Sequence, residues 1–552
     1  MRIRTLLPVA LAALGALLLV VSAFAGAGSA KAAAGKAGAF KKGGTLKIAI
    51  SEGDFEHTDP GIAYDTTSWS MLYTVNQTLV NYPEKPGVEG SKLYPEAAEA
   101  FPTVSKDGKT YTFKIRSGLK FSNGQPVTAA AFKRAIERNL SPEMGSPLGV
   151  NVHIDKLIQG GSAFLDGKTK VLSGVKANGQ TLTVTLTKPD PTFVSIMAMQ
   201  WYAAVPPSTP YSEKDVDKIP SAGPYYIKSH EPGRSLVLAR NPYYKGSRPA
   251  NPDQIVFTVN TDQAQTFLQV KNGDFDYDAG AGAPPTAYED LGKQYGVNKS
   301  RFFVGNLTCV SYIALNTTRA PFNTLNTRKG VEWAVDRPAM LRISGKYAGK
   351  RTDQILVPGI PGFKDFHLYA IKGADYAKAK QIAGNVSGTV VVYHATSTAA
   401  TNRAQILEYN LKQMGFDTKD KPVPGGVYYR QLETKGVDFD AAFAGWCADY
   451  NDPFDFINVL LDGRTIQDSN NVNFAYYNNP ALNRQMDEAA KKFGDARAAA
   501  YAKLDLDIMT KHAPWAPWSI PNQRMFVSAR VKNFIYQPYF GEPAYNAMAI
   551  AG

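Results

Sequence analysis

Acidic residues and histidines are the groups in this chain that could bind a metal ion. Asp274, Asp276 and Asp278 have the spacing of the first ligands of a calcium-binding loop. The sixth position of such a loop is Ala279, where the turn requires glycine, and the twelfth is Pro285, where a bidentate glutamate is required. The histidines are scattered without a pair at ligand spacing: His57, His153, His230, His367, His394 and His512. The sequence therefore predicts no metal site and no cofactor.

Serine, lysine and histidine could also serve nucleophilic catalysis if they occurred in the patterns that such chemistry needs. The patterns Gly-x-Ser-x-Gly, Ser-x-x-Lys with its partners, and His-Glu-x-x-His do not occur in a strand-turn-helix context. A glycine loop that would bind phosphate is also missing from the sequence. These observations argue against an enzyme, and a secreted hydrolase is the least favoured of the functions considered.

The chain has two cysteines, Cys309 and Cys447, which are far apart in sequence. In an oxidising compartment thiols tend to pair, so a single disulfide is favoured over two free buried thiols, which stay open as the alternative. Closing so long a loop stabilises a fold by about 4–5 kcal/mol in the chain-entropy description.

The first 30 residues have the layout of a secretory signal. Arg2 and Arg4 precede an apolar run from Leu6 to Ala25, and Ala23-Phe24-Ala25 offers a cleavage site. Residues 31–42, rich in Ala, Gly and Lys, are predicted to be a flexible tether. The signal predicts an extracytoplasmic protein. No cysteine stands directly after the apolar run, so we expect that the protein is not a lipoprotein. An uncleaved N-terminal anchor is the alternative.

The charge of the chain does not indicate a nucleic-acid partner. The formal net charge is +13, and loss of Arg2 and Arg4 with the signal would leave +11. Acidic and basic residues are interspersed, and no run of Lys and Arg forms a nucleic-acid or membrane patch.

Helices and strands alternate along the chain, which predicts α/β domains. Roughly 510 residues follow the signal, more than one core usually organises, so two or more domains are expected. Period-two alternation or apolar runs predict strands at 45–50, 111–115, 235–239, 254–259, 389–393 and 439–446, and a hairpin around Asn178-Gly179 within 171–186. Helices are predicted at 69–80, 129–140, 263–271, 399–414, 488–492 and 496–510, with Thr128 as an N-cap.

Several segments in order resemble one family. These are 106–116 with 121–129, then Ser221-Ala222-Gly223-Pro224-Tyr225-Tyr226, Arg240-Asn241-Pro242-Tyr243-Tyr244, 314–317, 320–323 and Ala334-Val335-Asp336-Arg337. Gly445-Trp446-Cys447-Ala448-Asp449-Tyr450-Asn451-Asp452-Pro453 is the most specific segment. From about Gly43 to its end, the chain resembles the substrate-binding proteins of peptide-class ABC importers, which include periplasmic oligopeptide-, dipeptide- and nickel-binding proteins, and it is most similar to the oligopeptide branch.

The resemblance implies a two-lobed, hinged α/β fold of the periplasmic-binding-protein type, with an extra inserted domain and a ligand cleft between the lobes. By analogy, residues 43–80, 205–308 and 520–552 form the first lobe. Residues 81–204 form the inserted domain, and 309–519 form the second lobe. The resemblance also implies that Cys309 and Cys447 are bridged within the second lobe.

The resemblance further implies that Asp449 binds the α-amino group of the ligand in the cleft. Gly445, Trp446, Cys447 and Tyr450 are expected beside it, with Trp446 as an apolar wall and Tyr450 offering a ring and a hydroxyl. Turn capping by Asp449 and core packing by the two aromatic residues are the alternatives.

Three further residues are ligand-binding candidates. Tyr64 and Asp65 lie where the first lobe of the family reaches the ligand. Phe443 stands where members that clamp the C-terminal carboxylate of short peptides carry an arginine, so peptide specificity is in question. Phe443 would either pack in the core or line an apolar pocket.

The function implied is capture of an oligopeptide or similar amine-bearing solute and its delivery to a membrane permease. The expected partners are an ABC permease and its cytoplasmic ATPase, and the protein is expected to be a monomer. A solute receptor or peptide chaperone without transport is the alternative. A nickel chelate, a sugar or another solute stays open as the ligand.

Overall fold

The structure is a computed structural model that describes residues 42–145, 154–369, 372–469 and 471–551. The predicted signal over 1–30, with its alternative as an anchor, and all of the predicted tether except Lys42 lie outside the described residues. Within the described ranges, no helix is both long enough and apolar enough to cross a membrane.

Strands and helices alternate along the described chain. The strands are β1 (Thr45–Ile50), β2 (Val80–Asn81), β3 (Tyr94–Pro95), β4 (Thr103–Val104), β5 (Thr110–Lys114), β6 (Val175–Asn178), β7 (Thr181–Thr185), β8 (Tyr225–Glu231), β9 (Ser235–Arg240), β10 (Gln254–Val259), β11 (Tyr277–Asp278), β12 (Phe302–Asn306), β13 (Cys309–Leu315), β14 (Gly349–Lys350), β15 (Thr389–Ala395), β16 (Asp417–Val423), β17 (Ala441–Cys447), β18 (Trp515–Phe526), β19 (Val531–Asn533), β20 (Tyr536–Gln537), β21 (Glu542–Pro543) and β22 (Ala549–Ile550).

The helices are α1 (Thr66–Val75), α2 (Ala129–Arg138), α3 (Ile154–Leu157), α4 (Gly161–Leu165), α5 (Phe193–Ile196), α6 (Gln263–Asn272), α7 (Tyr288–Tyr295), α8 (Leu325–Ala334), α9 (Arg337–Arg342), α10 (Tyr376–Ala383), α11 (Thr398–Met414), α12 (Gly425–Leu432), α13 (Phe454–Leu461), α14 (Pro480–Ala490) and α15 (Gly494–Lys511). This mixture confirms the predicted α/β class.

Three sheets organise the fold. The first has the strand order β11-β1-β10-β9-β8, the second has the order β12-β18-β13-β17-β15-β16 with β14 paired to β18, and the third has the order β4-β5-β7-β6. The second sheet includes β12, although residues 302–306 fall in the predicted first lobe. Strand pairing alone does not define a domain, so the predicted lobe boundaries stay a prediction.

The central strands of the second sheet are buried on both faces. Successive residues of β13 alternate between two apolar clusters: Tyr312 and Ala314 belong to one, and Ile313 and Leu315 to the other. Strand β17 pairs with β13 along its whole length and is apolar from Ala441 to Ala444 for the same reason.

Helix α1 differs from the predicted helix over 69–80. It begins after the N-cap Asp65, and it ends at Val75 because the next residue, Asn76, takes an extended backbone conformation. The chain then continues into β2, and the backbone N–H of Thr78 donates to the Glu96 carboxylate. The apolar spacing up to Val80 thus spans the end of a helix and the start of a strand, and the predicted end was wrong by five residues.

The hairpin in the third sheet is confirmed with a shifted loop. Asn178 pairs with Thr181, so the two loop residues are Gly179 and Gln180 rather than Asn178 and Gly179. Gly179 has a φ of +55°, which glycine adopts without steric cost.

Candidate ligand-binding site

A cavity of about 330 Å³ lies where three distant parts of the chain meet. The N-terminal part, the β12–β13 connection with β17, and the C-terminal part supply these lining residues: Tyr64, Thr66, Trp69, Leu307, Thr308, Cys309, Gly445, Trp446, Cys447, Ala448, Asp449, Gln523, Pro538, Tyr539, Phe540, Gly541 and Glu542. Residues from both predicted lobes therefore border one space.

A disulfide holds one wall of the cavity. Cys309 and Cys447 are directly opposite each other in the β13–β17 pair and are bonded, as predicted. The bond closes the last position of the ladder, and the backbone N–H of Ala448 then donates to Thr308. This cross-link restrains the chain just before Asp449.

Asp449 is a buried carboxylate at the cavity, with 8% of its surface exposed. The Tyr64 hydroxyl donates to its Oδ2 at 2.9 Å, and within the described ranges it forms no ion pair. Burial raises the pKa of Asp449 to about 7, and the hydrogen bond from Tyr64 opposes this only in part. The site thus presents a carboxyl group that lacks a counter-ion from the described protein.

A second carboxyl group, Asp455, lies directly behind Asp449. The backbone N–H of Asp449 donates to Asp455 Oδ2 at 2.9 Å, and the Trp446 indole N–H donates to the same oxygen at 3.2 Å. Asp455 is fully buried, and burial together with the nearby negative charge of Asp449 raises its pKa well above the usual range. The two groups titrate as a pair, and a cation in the cavity would favour their ionised form.

Tyr64 is held from both its backbone and its ring. Its backbone N–H donates to Glu56 Oε2 at 2.8 Å, and its ring lies beside Trp69 and Trp201, with centroids 6.2 and 5.0 Å away. Both indole N–H groups donate to the carbonyl of Ala63, at 2.9 and 2.7 Å. This aromatic cluster aims the Tyr64 hydroxyl at Asp449.

Five of the predicted residues meet at the cavity: Tyr64, Gly445, Trp446, Cys447 and Asp449. Trp446 is half-buried and Cys447 is exposed on the cavity side of β17.

The other three predicted residues lie outside the cavity lining. Asp65 caps helix α1 by accepting from the backbone N–H of Ser68 at 2.6 Å. Tyr450 is fully buried in a separate apolar cluster that includes Trp201 and Tyr539, and Phe443 packs against the cluster of Ile313 and Leu315. In this structure Tyr450 and Phe443 pack against apolar residues and do not line the cavity.

The acidic triplet that resembles a calcium loop connects neighbouring segments. The Asp278 carboxylate accepts from the Ser51 hydroxyl at 2.6 Å and from the backbone N–H groups of Gly280 and Gly282 at 3.0 Å. Asp276 accepts from the backbone N–H of Lys47 at 2.9 Å. These contacts join β11 to β1 and its following loop.

The C-terminal segment supplies cavity residues that the sequence did not reveal. Glu542 is 8% exposed and accepts from the Tyr277 hydroxyl at 2.9 Å and from the Gln523 side chain at 2.8 Å. Burial raises the pKa of Glu542 to about 8. The Tyr539 hydroxyl donates to the backbone carbonyl of Asp449. These residues carry no local pattern that marks a site, so only the folded chain shows them.

Known proteins resemble this chain over most of its length. A family model described as bacterial extracellular solute-binding proteins, family 5 middle, matches residues 92–468. The dipeptide-binding protein DppE of Bacillus subtilis is 24% identical over 532 residues, covering 92% of this chain and 93% of its own. The periplasmic oligopeptide-binding protein OppA of Salmonella typhimurium is 27% identical over 443 residues, covering 76% of this chain and 77% of its own.

The fold is also that of a solved relative. The structure of clavulanic acid biosynthesis oligopeptide binding protein 2 matches with a TM-score of 0.85 at 24% identity, covering 93% of this chain and 96% of that chain. The architecture is thus the two-lobed binding-protein fold with its cleft between the lobes. With more than half of its residues matched by the family model, the chain belongs to family 5 of the bacterial extracellular solute-binding proteins.

Proposed function

We propose that this protein captures a peptide or a similar amine-bearing solute outside the cytoplasm and delivers it to an ABC permease. A cytoplasmic ATPase would drive the transport step, and the binding protein would act as a monomer without catalysing a reaction. The names of its relatives support this class of ligand, because they describe a dipeptide-binding and an oligopeptide-binding protein.

The observation that carries the proposal is the buried Asp449 carboxylate at the cavity. A buried charge is costly unless it is paired, and the described residues give Asp449 a hydrogen bond from Tyr64 but no cation. The α-ammonium group of a ligand would supply the missing charge. It would also form a charge-assisted hydrogen bond, which contributes about 1.5–3 kcal/mol.

The position of Asp449 suits a ligand that closes the protein. Trp446 belongs to β17 and Asp449 follows it, both in the predicted second lobe. Tyr64 and Trp69 belong to the predicted first lobe. A solute that touches both sets favours the closed form through contacts that the open form lacks. The closed form would then be the one that docks on the permease.

The experiment that tests the proposal is a calorimetric titration with alanine peptides of two to five residues and with their N-acetylated forms. We expect one peptide to bind per protein, and acetylation to weaken binding by roughly ten-fold or more because it removes the ammonium charge. Equal affinity of the free and acetylated peptides, or binding of neither, would contradict the proposal.

A further inference from the structure

The charged side chains that line the cavity are all acidic. Asp449 borders it after β17, and Glu542 borders it from β21 near the end of the chain. Among the described residues, no lysine, arginine or histidine belongs to the lining. Two acidic residues from different parts of the fold therefore border one space that has no cationic side chain among its described lining residues.

Glu542 is held by neutral donors alone. Its Oε1 accepts from the Gln523 amide and its Oε2 from the Tyr277 hydroxyl, and a longer contact of 3.4 Å joins it to the Tyr545 hydroxyl. Only 8% of its surface is exposed, yet it forms no ion pair within the described ranges. Burial, with a smaller contribution from the negative charge of Asp278, raises its pKa to about 8.

Some buried acids away from the cavity are paired with arginine, whereas the fully buried Asp505 is held by two backbone N–H groups and the Gln354 amide. Asp59 forms a two-pronged ion pair with Arg138 at 2.8 and 2.7 Å, and Asp452 forms one with Arg497 at 3.0 and 2.8 Å. Such pairing offsets the cost of burying a carboxylate within the protein itself. Glu542 has no positively charged partner of this kind among the described residues. Because it borders the ligand cavity, a ligand can supply that positive charge.

Among the described residues, the lining also offers no cationic partner to a ligand carboxylate. Phe443 packs against the apolar cluster of Ile313 and Leu315 and does not line the cavity. Where Asp449 and Glu542 are ionised, a carboxylate placed near them would be repelled by like charge. The cavity thus favours a ligand with two positively charged groups over a short peptide whose only charges are its terminal ammonium and carboxylate.

We infer that Glu542 is a second cation-binding group and that the preferred ligands carry a basic side chain near their amino terminus. The lysine ammonium or arginine guanidinium of such a peptide would bind Glu542 while its α-ammonium binds Asp449. This inference rests on the proposed function, because it assumes that the ligand amine occupies the Asp449 end of the cavity.

The test compares charge at constant side-chain length. Alanine tripeptides with one lysine at position one, two or three are titrated by calorimetry against the same peptides with norleucine, which has the same aliphatic stem without the ammonium. At one or more positions we expect lysine to bind roughly ten-fold tighter than norleucine. Equal or weaker binding of the lysine peptide at every position would overturn the inference.

A Glu542→Gln variant assigns the preference to its residue. We expect the variant to bind the lysine peptide no more tightly than the norleucine peptide. The affinity for the norleucine peptide should change by less than about two-fold between wild type and variant, which would show that the cavity is intact. Glu488→Gln is the matched control, because Glu488 is exposed and pairs with Lys491 outside the cavity. A lysine preference that persists in Glu542→Gln would overturn the assignment.

Proton release gives a readout that needs no variant. Because the pKa of Glu542 is raised to about 8, a bound lysine should displace its proton, and titrations in buffers of different ionisation enthalpy should show more protons released with lysine than with norleucine. Equal release would contradict the inference. Loss of affinity on N-acetylation would still support the role of Asp449, so the two proposals can fail separately.

Discussion

Replacing Asp449 by asparagine removes the negative charge at the centre of the site and keeps the size of the side chain. The amide oxygen can still accept the hydrogen bond from Tyr64, so the change is confined largely to charge. The lost charge-assisted hydrogen bond contributes about 1.5–3 kcal/mol, which corresponds to roughly 10- to 150-fold weaker binding of a free-amine peptide.

Calorimetry should be done at about pH 8, where Asp449, whose pKa burial raises to about 7, is largely ionised. At about pH 6 the wild-type protein must release a proton to bind the ammonium, so its affinity should fall and the difference from Asp449→Asn should shrink. Asp468→Asn is the matched control, since this side chain is 91% exposed and pairs with Lys435 away from the cavity. An Asp449→Asn affinity within about two-fold of wild type at about pH 8 would refute the ammonium role.

Three further outcomes follow from the same contacts. The pKa of Asp449 is higher in the folded protein than in the unfolded chain, so lowering the pH from about 8 to 6 should raise the Tm of the ligand-free protein. The increase should be smaller in Asp449→Asn. Equal increases would argue against a contribution of Asp449 to this pH dependence. Replacing Cys309 and Cys447 together by alanine should lower the free energy of unfolding by about 4–5 kcal/mol in guanidinium titrations, and an unchanged midpoint would contradict a stabilising role for the bond. Tyr64→Phe should weaken peptide binding roughly 2- to 13-fold in calorimetry by removing the hydroxyl that donates to Asp449, whereas an unchanged affinity would mean that this bond is not used in the complex.

Local sequence patterns predicted the elements that depend on neighbouring residues. The strand Thr45–Ile50 alternates polar and apolar side chains, and the structure forms β1 over the same residues because Leu46 and Ile48 are buried. Helix α11 begins at Thr398, one residue before its predicted start at Ala399, and ends at the predicted Met414. The end of α1 could not be predicted in this way, because the chain is extended after Val75, and from Val75 onward it forms hydrogen bonds with residues distant in sequence, such as Gly223 and Glu96.

The candidate site could be predicted only where one segment carries a specific pattern. The segment 445–453 indicated Asp449 and Trp446, which the structure places at the cavity. It did not separate them from Tyr450, because the direction of a side chain beyond the end of a strand depends on packing, and Tyr450 packs into the core. Glu542 enters the cavity through tertiary contacts with Tyr277 and Gln523, which no local pattern records.

A crystal structure of the protein with a bound free-amine peptide would test the central claim most directly. The account predicts the α-ammonium nitrogen about 2.7–2.9 Å from a carboxylate oxygen of Asp449, in the cavity that Tyr64 and Trp446 border. A peptide whose ammonium binds elsewhere, or whose carboxylate lies against Asp449, would contradict it.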